Sequence, residues 1–215
     1  MDEYARKDLE GDLQWHVEHF DFISDTDLRA RLGEEFFAAR YLYKLWEGLR
    51  LHDAWAARAQ VQLQVQQYAS IYEACVHHLL FTEAAGSPVV EALTAYETLV
   101  ERPLPQRLMD KIRALPNDDA HLVVGAVRRR RSLDISKVRF DQKVAAAVQL
   151  GIIDQPLADD LVEFYSARNL IHIHAEMKRA SERSWEIELS QRAYRRLQPF
   201  KAQVVIWLER RSASR

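Results

Sequence analysis

Residues 156–178 read PLADDLVEFYSARNLIHIHAEMK, and this stretch decides how the rest of the chain is read. Pro156 suits the first turn of a helix, where its missing N–H costs nothing. At about 100° per residue, Leu157, Leu161, Phe164, Tyr165, Ile171 and Ala175 fall on one stripe, and Arg168 and His172 fall on it too. A cation in the middle of an apolar face has to be compensated by a carboxylate, a backbone carbonyl or a polar cleft. Two readings follow. Either Arg168 is buried against an acid on a neighbouring helix with His172 as a core histidine, or the stripe faces a cleft or a second subunit. In the second case Arg168 offers a fork of donors suited to phosphate. His172 or His174 offers a group that moves a proton near neutral pH.

The flanking chain favours an all-α class, a helical bundle. Gly and Pro number six each in 215 residues, too few for many short strands, and 48% hydrophobic residues supply a core. A helix is expected from Ser24 to about Leu51, started by Ser24 or Asp25 and rich in aromatics (Phe36, Phe37, Tyr41, Tyr43, Trp46). A second runs from about Asp53 to Thr82 on Val61, Val65, Tyr68, Tyr72, Val76 and Leu79, and ends before Gly86-Ser87-Pro88. Shorter helices are expected through 88–133, interrupted near Pro103, Pro105 and Pro116. Another spans Asp134 to Leu150 and stops at Gly151. Trp185 to Leu189 alternates like a short strand, and a last helix from Ser190 is kinked or split by Pro199. Residues 1–54 read as an N-terminal helical extension packed on a bundle formed by 55–215.

Charge is unevenly spread. Residues 1–120 carry 12 Lys+Arg against 21 Asp+Glu, and residues 121–215 carry 18 against 11. A basic half suits an anionic ligand or RNA, or the two halves simply attract each other. Arg128, Arg129, Arg130 and Arg131 form a run that either grips RNA phosphates or is the solvated basic end of a helix. No aromatic residue is interleaved in that run. The one cysteine, Cys75, lies in an apolar register and permits neither an internal disulfide nor a cysteine zinc site. His77-His78 and His172-x-His174 have poor helical geometry for one metal, so neither metal nor cofactor is expected. Glu73 lies at the edge of its helix's stripe, either a plain surface residue or the acid that meets Arg168. No apolar run spans a bilayer and the acidic start is unlike a secretory leader, so a cytoplasmic protein without membrane contact is expected.

Tyr165-Ser166-Ala167-Arg168-Asn169-Leu170-Ile171-His172-Ile173-His174 resembles the signature of the HEPN superfamily, R-x4–6-H with a polar residue after the Arg, placed late in an all-α bundle. Leu150-Gly151-Ile152-Ile153 and Ser70-Ile71-Tyr72-Glu73-Ala74 are similar to its surroundings, and the resemblance covers roughly residues 55–180. His174 has the family spacing and His172 is one residue short. Helix geometry, however, puts His172 beside Arg168 and His174 about 120° round, so both stay open. The resemblance implies a homodimer with two such helices facing across a groove, and in active members a metal-independent endoribonuclease. A His would take the 2′-hydroxyl proton, Arg168 would hold the scissile phosphate and Asn169 would position the phosphate or the Arg. Many relatives are toxins of toxin–antitoxin or phage-defence systems, which adds an antitoxin to the expected partners. Others are catalytically silent binding or dimerisation modules.

Overall fold

The computed structural model describes residues 2–7, 9–50, 53–113, 126–169 and 187–213. The described chain is mostly helical, with one two-stranded sheet. The short helices α1 (Asp2–Lys7) and α2 (Leu13–Glu18) lie against α3 (Thr26–Leu49). Asp25 caps α3 by accepting from the N–H groups of Asp27 and Leu28 at 3.0 and 2.9 Å. Gly33 sits where α3 crosses α2. A β-carbon there would stand 2.7 Å from the Val17 backbone, so only glycine permits the approach.

The long α4 (Ala54–His78) is the axis of the molecule, continued by a π-helical turn at Leu79–Glu83. Val61, Val65, Tyr68, Ile71, Tyr72, Cys75 and Val76 are all buried, more than one face of a helix can hold. Accordingly α4 is covered on several sides, by α3, α7 (Phe140–Gln149), α8 (Gln155–Arg168) and α9 (Ile187–Arg195). Two hydrogen bonds fix its rotation: Gln64 Nε2 donates to the Ala39 carbonyl at 2.8 Å, and Tyr72 Oη to that of Ala193 at 2.7 Å. The Tyr72 ring stacks on Phe164 of α8 and meets Phe200 of α10 (Leu197–Ala213) edge-on. Phe20, Ile23, Leu32 and Phe36 share this same buried cluster with Val61, Tyr68 and Phe164.

Elements around α8 follow their sequence signals. Gly151 takes the left-handed conformation at φ +69° and ends the α7 segment. Asp154 caps α8 by accepting from Leu157 N at 3.0 Å, with Pro156 in the first turn. Pro199 falls in the first turn of α10. It has no N–H for the Arg195 carbonyl, and the chain breaks into α9 and α10 at Arg196.

Three expectations are corrected. The described part of 88–133 holds two short helices but also two strands, and 114–125 lie outside the described residues. After α5 (Pro88–Thr94) and around α6 (Gln106–Arg113), β1 (Ala95–Glu101) pairs antiparallel with β2 (Ala126–Ser132). Tyr96, Thr98 and Val100, β-formers at period two, carry that strand. Of the stretch Trp185–Leu189, Ile187–Leu189 open α9, with Ser190 and Ala193 buried three apart, and 185–186 lie outside the described residues. The helix expected to start at Asp134 begins only at Phe140, after a 3₁₀ turn at Ile135–Lys137 that Asp134 caps. No described helix is long and apolar enough to cross a membrane.

Candidate functional site

The last turn of α8 carries Arg168. Its buried stripe is Leu157, Ala158, Leu161, Phe164 and Ala167, which turns Arg168 to the margin and leaves its side chain 30% exposed. The expectation of a cation in the centre of the apolar face is therefore corrected by one step of rotation: Ala167, not Arg168, takes the inward place. Glu73 of α4 accepts a hydrogen bond from Arg168 Nη1 and is 31% exposed, so the pair crosses from α8 to α4 at the surface of the core. The guanidinium also lies 5.5 Å from the Tyr165 ring, which itself stacks on Phe140 of α7 at 4.5 Å. Arg168 is thus held from two sides, by an acid and by a ring that is packed in turn.

Two open grooves flank this pair. One, of about 460 Å³, lies between α7 and α8 and is lined by Arg139, Phe140, Asp141, Tyr165, Ser166 and the exposed Asn169. The other, of about 540 Å³, is lined by Ser70, Glu73, His77, His78, Thr82 and Lys143 among others. Arg168 meets Tyr165 of the first and Glu73 of the second without lining either groove itself. His172 and His174 lie outside the described residues.

The second groove holds one group that the sequence did not single out, Lys143. Lys143 keeps only 4% of its surface, and its Nζ donates to His77 Nδ1 at 3.2 Å. An ammonium group donating there leaves the His77 proton on Nε2. Burial pushes the Lys143 ammonium below its usual range, partly offset by the nearby Glu73 carboxylate. Burial, then the Lys143 charge, pushes His77 down as well. Beyond them His78, 5% exposed, approaches Ser24 Oγ at 3.1 Å, and Ser24 donates to Glu83 at 2.5 Å. A sequence signal for Lys143 existed: it lies three residues after Phe140 and one before Val144, in the apolar register of α7. Among the described residues no three of His, Cys, Asp and Glu gather as a metal site.

Arg128–Arg131 stand well away from helix chemistry, on β2, where every residue is exposed. The reading of this run as the end of a helix is corrected. Cys75 is fully buried, and burial raises its thiol far above the usual range. No family model, curated protein or solved structure matches the chain.

Proposed function

We propose that the chain is an HEPN-like homodimeric ribonuclease, or an effector derived from one, of the toxin–antitoxin or phage-defence kind, acting on RNA without a metal. The observation that carries this reading is the setting of Arg168. A guanidinium braced by Glu73 and Tyr165, with about a third of its surface exposed, is pre-organised for a phosphate. As an ion pair this exposed, Arg168–Glu73 adds only about 1 kcal/mol or less to stability.

In the proposed mechanism Arg168 binds the scissile phosphate and stabilises the charge that develops on its oxygens. Asn169, exposed beside it, orients that phosphate. A histidine of the same segment, His172 or His174, takes the proton from the ribose 2′-hydroxyl, and the oxygen attacks phosphorus to leave a 2′,3′-cyclic phosphate. Glu73 fixes the guanidinium rather than reacting. Lys143, buried to 4% exposure and hydrogen-bonded to the neutral His77, adds one positive charge behind the adjacent groove. The alternative, a silent HEPN-like module, keeps the Arg168–Glu73 brace and lacks the cutting.

Cleavage of mixed-sequence RNA in the presence of EDTA, with the product ends characterised, tests the reading. Cyclic phosphate ends produced by the wild type and missing from Arg168→Gln support it. Absence of cutting across varied RNAs sinks the nuclease and favours the silent module.

A further inference from the structure

The β1–β2 ribbon sorts its charges by face. In an antiparallel pair, directly opposed residues project on the same side, and the side alternates along each strand. The register sets Glu97 opposite Arg130, Leu99 opposite Arg128 and Glu101 opposite Ala126. On that face two arginines meet two carboxylates, and Arg128 Nη1 reaches to 3.7 Å of Glu97. The other face sets Tyr96 opposite Arg131, Thr98 opposite Arg129 and Val100 opposite Val127. It carries two guanidiniums and an aromatic ring, and neither strand adds a carboxylate to it. Tyr96 is 43% exposed and Val127 44% exposed, Arg129 and Arg131 are exposed, and Thr98 and Val100 between them are half-buried.

We propose that this second face, Tyr96 with Arg129 and Arg131, is a binding platform for single-stranded RNA. The inference deepens the ribonuclease reading and rests on it for the choice of RNA. The chemistry is specific to an unpaired strand. Tyr96 offers a ring for a base to stack on, and the Arg131 guanidinium across the ribbon offers a second flat cation. Arg129 and Arg131 are two strand positions apart, about 7 Å. That is a step comparable to the one between neighbouring phosphates of an extended chain. The linear run Arg128–Arg131 shows no aromatic residue, but strand pairing brings Tyr96 to it from more than thirty residues away. The opposite face, already neutralised by Glu97 and Glu101, serves as an internal control with the same number of arginines.

The test uses the full chain and a fluorescent, 2′-O-methylated single-stranded RNA of mixed sequence, which cannot be cut through its 2′-oxygen. Binding is followed by anisotropy over a salt series. Two variants remove equal charge: Arg129→Gln with Arg131→Gln, and Arg128→Gln with Arg130→Gln. Circular dichroism and gel filtration confirm that both stay folded, which exposed strand positions allow. The first double variant is expected to weaken binding at least tenfold and to lower the slope of log K against log salt by about 1.4. The second is expected to stay within about threefold. Tyr96→Leu is expected to weaken binding about fivefold or more with the salt slope unchanged. Equal losses from the two double variants, no loss from the first, or no binding by the wild type overturns the platform. Cleavage of unmodified RNA is measured in parallel. Intact cleavage with unaltered binding in the first double variant removes the platform and leaves the nuclease standing. Face-selective binding without any cleavage does the reverse.

Discussion

Arg168 and the arginines of β2 make opposite use of the same side chain. Arg168 is fastened to the bundle: Glu73 bonds it, Tyr165 lies beside it, and the helix beneath is anchored by Phe164 against Tyr72. Arg129 and Arg131 ride on a ribbon of seven-residue strands whose second strand is exposed throughout. The first arrangement fixes one guanidinium in one place, which suits a reacting group. The second spreads charge over an exposed surface, which suits the grip on a long polyanion. The difference arises one level below the side chains, in what each backbone segment packs against.

The largest test of that contrast is stability. Phe164→Ala removes a fully buried ring between α8 and α4 and is expected to cost about 3–5 kcal/mol in chemical denaturation. Leu99→Ala on the ribbon, where the side chain is 71% exposed, is expected to change stability by less than about 0.5 kcal/mol. Similar costs at the two positions would mean that the ribbon is packed as firmly as the bundle.

Acid is expected to act next most strongly, and on the bundle. Burial, with the Lys201 ammonium second, pushes His19 from 6.5 down to about 4, while His16 and His77 are lowered mainly by burial. A histidine that is harder to protonate when folded binds fewer protons than the unfolded chain between those two values. Its contribution is therefore complete above about pH 6.5 and is lost as pH falls towards 4. For His19 this is about 3 kcal/mol. Urea unfolding across pH 7 to 4 should show the loss, and His19→Phe, which keeps a ring beside Phe20 and Phe36, should flatten it. An unchanged pH profile in that variant would place the titration elsewhere.

A smaller effect probes the groove beside Arg168. Lys143→Met removes a buried ammonium whose hydrogen-bond partner is an imidazole, and is expected to hold or raise stability by about 1 kcal/mol at pH 7. The gain should shrink as pH approaches that of an ordinary lysine, because the wild-type group is then neutral in both states. A loss of stability at pH 7 would show that the Lys143 charge is needed by Glu73.

The helices were legible because their signals are local. Asp25 caps α3, Pro156 opens α8, Gly151 turns the chain, and the register of Val61, Val65, Tyr68 and Tyr72 marks α4. The ribbon was not legible because its evidence lies in a pairing. Tyr96-Glu97-Thr98-Leu99 alternates over too short a span to outweigh helix-forming neighbours, and four arginines, which favour helix alone, settle as strand only opposite it. At the site, the sequence brought out Arg168 and offered Glu73 as one choice for its partner. It missed Lys143 because a single cation in a short amphipathic helix reads as surface until its neighbours are known. The opposite charges of the two halves meet in part within the fold, at Arg168–Glu73, Arg128–Glu97 and Lys201–Asp21.

The decisive measurement compares melting and RNA cleavage for Arg168→Gln in one preparation. A side chain a third exposed, paired with an equally exposed acid, contributes about 1 kcal/mol to stability. As the phosphate-binding group it contributes a hundredfold or more to the rate. The expected result is a melting temperature within a few degrees of wild type and cleavage reduced at least a hundredfold. A melting temperature that falls steeply while wild-type RNA cleavage is absent, or survives the substitution, would make Arg168 a brace between helices and nothing more.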